Sequence, residues 1–138
     1  MQYAIARAGV PAPAALRRWA YAAARDLSLT VRVVGRAEGR SLNRRFRRRD
    51  YATNVLSFPY SRAGDIVLCH PVIAREAREQ GKNVRAHYAH LVVHGGLHLR
   101  GYEHHDNASA KRMEATEIRI LRRLGFGDPY TVESRRTA

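Results

Sequence analysis

The chain has 138 residues, 45% of them apolar, which suits one domain with a real core and excludes a disordered tail. A formal net charge of +13, carried almost wholly by arginine, favours a polyanionic partner such as nucleic acid, although a GC-rich genome alone also enriches arginine. The lone cysteine, Cys69, excludes an intrachain disulfide and a four-cysteine zinc site; with no apolar run of about 18 residues and no signal-like start, the expected setting is the cytoplasm, away from membranes.

In chain order, residues 1–8 read as a short edge strand. Residues 11–27 open on Pro11 and Pro13, and Leu16, Trp19, Ala20, Ala23 and Ala24 recur at helical spacing, so an amphipathic helix is expected. Residues 28–35 alternate and are β-branched, hence a strand ending at Gly35. Residues 38–48 form a short, very basic helix. Residues 54–60 are a strand in which Pro59 demands an edge or an end. Gly64-Asp65 opens a further strand, Ile66 to Cys69. From Pro71 the pattern is helical: 71–80 stopped by Gly81, 84–100 ended by Gly101, and 108–124 after an N-cap at Asp106-Asn107. In the last helix Met113, Ile118, Leu121 and Leu124 are expected to face inward. No repeat or linker divides the chain. The fold expected is α/β (α+β): one metal-binding domain, 1–138, with a small mixed sheet of three to four strands and about five helices.

The chemistry concentrates in residues 94–104, His-Gly-Gly-Leu-His-Leu-Arg-Gly-Tyr-Glu-His. His94 and His98 are four apart, so a helix stacks them on one face, where two imidazoles can share a metal ion. Gly101 lets the backbone leave the helix and return His104 as a third ligand. Three neutral imidazoles leave a coordination position open to water, the form of a catalytic zinc site. One Zn2+ is expected, though Ni2+, Co2+ and Cu2+ also accept imidazole. His90, one turn before His94, competes as a ligand; the third ligand more often arrives from a turn, which favours His104. His105 is expected at the surface, and His70 and His87 as ordinary polar positions. The same histidine spacing occurs in metzincin peptidases, which need glutamate directly after the first histidine. That position is Gly95, and Glu103 is no obvious substitute, so a peptidase lacks its base.

Four blocks in order resemble the YbeY family of bacterial endoribonucleases, or rRNA maturation factors. Residues 94–104 match its His-Gly-x-Leu-His-Leu-x-Gly-Tyr-Asp-His signature, with Glu103 in place of Asp. Leu42-Asn43, Phe46-Arg47 and Thr53-Asn54-Val55-Leu56-Ser57-Phe58-Pro59 resemble a second block, with Phe46 in place of the usual Tyr. Gly64-Asp65-Ile66-Val67 resembles a third, and Leu124-Gly125-Phe126 with Asp128-Pro129-Tyr130 a fourth. The resemblance implies a mixed α/β fold and a metal, usually zinc, on the three signature histidines. It implies cleavage of single-stranded RNA, maturation of the small-subunit rRNA 3′ end and ribosome quality control.

The family's important arginine maps onto Arg47, which sits within Arg44-Arg45-Phe46-Arg47-Arg48-Arg49. Phosphodiester cleavage builds charge on phosphoryl oxygens, which a guanidinium fork can hold bidentately. Arg47 and His94 are therefore the candidate catalytic residues. Arg44, Arg45, Arg48 and Arg49 either hold flanking RNA backbone or form a solvated helix face. Ser57 either bonds a phosphate or a strand neighbour. Two functional classes follow: an endoribonuclease using water or the RNA 2′-hydroxyl as nucleophile, or a non-catalytic factor binding rRNA or a ribosomal protein. In the second, the metal only braces the fold.

Overall fold

In the computed structural model, which describes residues 1–5, 8–103 and 105–130, five helices pack on a four-stranded mixed sheet. The order is β1 (Gln2–Tyr3), α1 (Pro13–Ala24), β2 (Ser28–Val34), α2 (Arg36–Arg47), β3 (Val55–Tyr60) and β4 (Ala63–Cys69), then α3 (His70–Gln80), α4 (Val84–Leu99) and α5 (Asn107–Arg123). The α/β class and the element types agree with the sequence. Boundaries shift: the first strand is only two residues long, with Ala6 and Arg7 of the expected strand outside the described residues.

Across the sheet the strands run β1-β2-β4-β3. The pairs β1–β2 and β2–β4 are parallel, and β3–β4 is antiparallel. Strand pleat divides the side chains between two faces. Val31, Val33, Ile66 and Leu68 join the larger core with Leu16, Trp19, Tyr88 and Val92. Val34, Leu56, Val67 and Cys69 point the other way, where Leu42 of α2 packs against them. One face therefore carries α1, α4 and α5, and the other carries α2.

Strand β3 lies at the edge, as Pro59 requires, because proline has no N–H to give a ladder. Strand β4 begins earlier than expected, since Ala63, Gly64 and Asp65 pair with Tyr60, Pro59 and Phe58. In the last helix the inward stripe is Met113, Glu117 and Leu121. Ile118 is only half-buried, and a carboxylate takes the inward place.

Helix α4 is buried on most of its circumference and needs close neighbours. A Cβ at Gly96 would lie 2.7 Å from Ala23 Cβ on α1. A Cβ at Gly95 would lie 3.0 Å from Ser57 Oγ on β3. Alanine is normally the better helix former by about 1 kcal/mol. At Gly96 overpacking should win: Gly96→Ala is expected to destabilise the protein by about 1–2 kcal/mol, read by urea unfolding. A more stable variant would show that α1 and α4 are not in close contact.

Candidate metal centre and cleft

His94 and His98 stand one turn apart on α4, with ring centroids 4.6 Å apart. Their Nε2 atoms face each other at 3.1 Å. Each ring is held from behind by its other nitrogen. His94 Nδ1 lies 2.5 Å from Glu117 Oε2, and His98 Nδ1 lies 2.9 Å from the Tyr102 carbonyl oxygen. A carboxylate and a carbonyl only accept, so each Nδ1 of a neutral ring carries the proton. Both Nε2 atoms then present lone pairs to one another, which repel unless a cation or proton lies between them. Two metal–imidazole bonds of about 2.0–2.1 Å at a tetrahedral angle hold their nitrogens about 3.3–3.4 Å apart. The 3.1 Å separation is close to that span, so the pair fits a divalent transition metal.

The turn after α4 is part of this arrangement. Gly101 has φ +96°, a conformation that side chains resist, and Tyr102 N–H returns to the Leu97 carbonyl at 3.0 Å. That return sets the Tyr102 carbonyl against His98. The expected third ligand, His104, lies outside the described residues.

A second set of donors meets at the same imidazole. One ligand atom each from His90, His94 and Glu117 falls within 4.8 Å of the others. His90, read from sequence as a competitor, is thus brought to the site, and Glu117 was missed. Its signal was positional: Glu117 sits four residues from both Met113 and Leu121, inside an apolar stripe. Glu117 is fully buried. Burial pushes its carboxyl up, but hydrogen bonds from His94 and Tyr130 and the nearby His90 ring outweigh that and bring it down to about 2. Burial pulls His90 below its ordinary value, against the opposing pull of Glu117. His105 is exposed, as expected, whereas His87 is buried with Nε2 2.9 Å from Glu76 Oε1.

Arg47 reaches this region around the edge of the sheet. It closes α2, and its Nη2 donates to the Ser57 carbonyl on β3 at 2.6 Å. Its guanidinium carbon lies 5.5 Å from the Phe58 ring centroid. A cleft of about 410 Å³ is lined by Arg47, Ser57, His94, His98 and Glu103, among others. The Ser57 hydroxyl donates to the Gly95 carbonyl at 3.2 Å, so its hydrogen is committed to α4. Arg44, Arg45, Arg48 and Arg49 are all exposed around the end of α2. Gly95, where a metzincin carries glutamate, faces Ser57, Ile66 and Val55 with no room for that side chain.

The sign of the acid response follows from Glu117. Its folded value lies below the ordinary 4.5, so its stabilising contribution is complete above about 4.5 and is lost as pH falls toward about 2. Acid unfolding of metal-free protein, followed by circular dichroism, should steepen over that interval, and Glu117→Gln should flatten it. Coincident curves would contradict an ionised, buried Glu117.

Comparisons with known proteins agree with one another. The family model described as Endoribonuclease YbeY matches residues 14–125. A protein of that name from Aromatoleum aromaticum is 57% identical over 129 residues, covering 90% of this chain and 84% of the relative. Another, from Stenotrophomonas maltophilia, is 50% identical over 149 residues, covering 96% and 92%. The solution structure of a Thermotoga maritima protein has a TM-score of 0.54 at 24% identity, over 86% of this chain and 87% of that one, and shares the fold.

Proposed function

This chain belongs to the YbeY endoribonuclease family, and we propose that it is a metal-dependent endoribonuclease that cuts single-stranded RNA. The observation carrying this reading is the cleft that has Arg47 on one wall and His94 and His98 on another. The proposed ligands are His94, His98 and His104, with Zn2+ as the ion. When bound there, such an ion supplies Lewis-acid chemistry and an acidified water.

The protein's own residues do the rest. His94 and His98 turn Nε2 inward because their Nδ1 atoms are engaged by Glu117 and Tyr102. Arg47 commits one N–H to the Ser57 carbonyl, which fixes the guanidinium at the sheet edge. Its remaining donors grip the phosphoryl oxygens of the scissile linkage and stabilise the charge that develops there. Arg44, Arg45, Arg48 and Arg49 hold flanking phosphates without reading sequence. Phe46 and Tyr60 are 53% and 59% exposed, and such rings stack only with unpaired bases, which favours a single strand. The reading extends to one hydrolase domain, 1–138, acting in the cytoplasm on ribosomal RNA in small-subunit 3′-end maturation and ribosome quality control. Among the described residues no helix is long and apolar enough to cross a membrane.

Cleavage of a labelled single-stranded RNA tests this. Arg47→Ala should keep its melting temperature and lose about 10²–10³-fold in rate, the usual cost of removing one charge-stabilising donor. A folded Arg47→Ala that cleaves normally would remove Arg47 from catalysis. A 2′,3′-cyclic phosphate on the product identifies the 2′-hydroxyl as nucleophile, and a 5′-phosphate identifies water. Wild-type protein that binds ribosomes but never cleaves would make the chain a non-catalytic factor.

A further inference from the structure

The segment Asp128-Pro129-Tyr130 follows the last helix and has no part in the cleft lining. It nevertheless ends on the site. Asp128 Oδ1 accepts the Tyr130 N–H at 2.8 Å, a local turn that returns the ring toward α4 and α5. There the Tyr130 hydroxyl donates to Glu117 Oε1, and its ring packs edge-on against His90 with centroids 5.2 Å apart.

We propose that Glu117, clamped by Tyr130, is the positioning carboxylate of the metal centre, setting the tautomer and aim of His94 without itself binding the ion. This rests on the metal-site reading above.

A carboxylate in an apolar helix stripe is costly unless its oxygens are engaged by donors. Here both are: Oε2 takes His94 Nδ1–H, and Oε1 takes the tyrosine hydroxyl. The direction of each bond follows. Glu117 only accepts, so Tyr130 spends its proton there and can only accept from His90 Nε2, 3.1 Å away. His90 therefore carries its proton on Nε2. Its Nδ1, the remaining lone pair, is buried with no hydrogen-bond partner among the described residues. The chain reads His90 to Tyr130 to Glu117, with His94 donating from the other side. In that state His90 has no lone pair on the nitrogen that faces Glu117, so the His90–His94–Glu117 group acts as an orienting network. A carboxylate behind a histidine ligand raises its basicity and locks its ring, and losing such a partner typically lowers metal affinity about 10–100-fold. Tyr130 completes the device by keeping Oε1 from water or a competing donor.

The test is Zn2+ affinity of the full chain, by chelator competition, with Co2+ absorption as a second readout of ligand geometry. Glu117→Gln should weaken affinity about 10–100-fold and alter the Co2+ spectrum. Tyr130→Phe, which keeps the carboxylate and its bond to His94, should weaken it by a smaller factor and decides the matter if Glu117→Gln fails to fold. His90→Gln should bind as wild type within a few-fold, its role being one step removed. Unchanged affinity and spectrum in Glu117→Gln and in Tyr130→Phe would overturn the proposal. So would complete loss of binding in both Glu117→Gln and His90→Gln, the behaviour of direct ligands. His94→Ala and His98→Ala separate the two readings. If both keep wild-type affinity the metal site itself is wrong; if both lose the ion while Glu117→Gln keeps it, only the positioning role fails.

Discussion

Helix α4 is seated so closely that a methyl group on Gly96 would strike Ala23 and one on Gly95 would press on Ser57. The cleft depends on that seating. Two consecutive glycines cost the helix conformational entropy, and the return is proximity: α4 crosses the sheet at β3 and β4 with its histidines beside the sheet edge. His94 immediately precedes the pair and His98 follows it by two residues, so the segment that makes the contact also fixes both rings. The same contact ties Ser57 Oγ to the Gly95 carbonyl, while the Ser57 carbonyl takes Arg47. One residue of the edge strand thus joins the histidine wall to the arginine wall.

Charge is arranged around this seam in two layers. Behind the histidines lies a buried anion, Glu117, held by His94 Nδ1–H and the Tyr130 hydroxyl, with His90 Nε2 3.5 Å away. In front lies an exposed cationic rim at the end of α2, where the helix dipole itself favours positive charge. A polyanion is favoured at the rim, and a cation between rim and buried carboxylate. Distance from solvent separates the two: the arginines are exposed and fit phosphate binding, whereas Glu117 is fully buried.

Much of this was legible in the sequence because it is local. Periodicity gave the five helices, Pro59 gave the edge strand, and Gly101 gave the turn at φ +96°. The facing of His94 and His98 follows from a spacing of four on a helix. Long-range pairings were not legible. Nothing near Glu117 in sequence marks it as the partner of His94, twenty-three residues earlier; only its place between Met113 and Leu121 hinted at burial. Hydrophobicity favours Ile118 inward, but the buried stripe is Met113, Glu117 and Leu121, which leaves Ile118 half-buried. Tyr130 was visible as part of a family-like block, but its contact with Glu117 requires a turn that only tertiary structure supplies. Ser57 was ambiguous between phosphate and strand neighbour; its hydroxyl proton is committed to a third element, helix α4.

His94 is where the two donor sets meet, through Nε2 toward His98 and through Nδ1 toward Glu117, with His90 one turn before it on α4. The proposed ion site is on the Nε2 side, in the cleft that Arg47 also lines. An anomalous-difference map at the zinc edge, from crystals of the full chain grown with Zn2+, tests this most directly. The predicted result is a single peak within bonding distance of His94 Nε2 and His98 Nε2, with His94 Nδ1 still on Glu117. A peak among His90, His94 Nδ1 and Glu117 would contradict it.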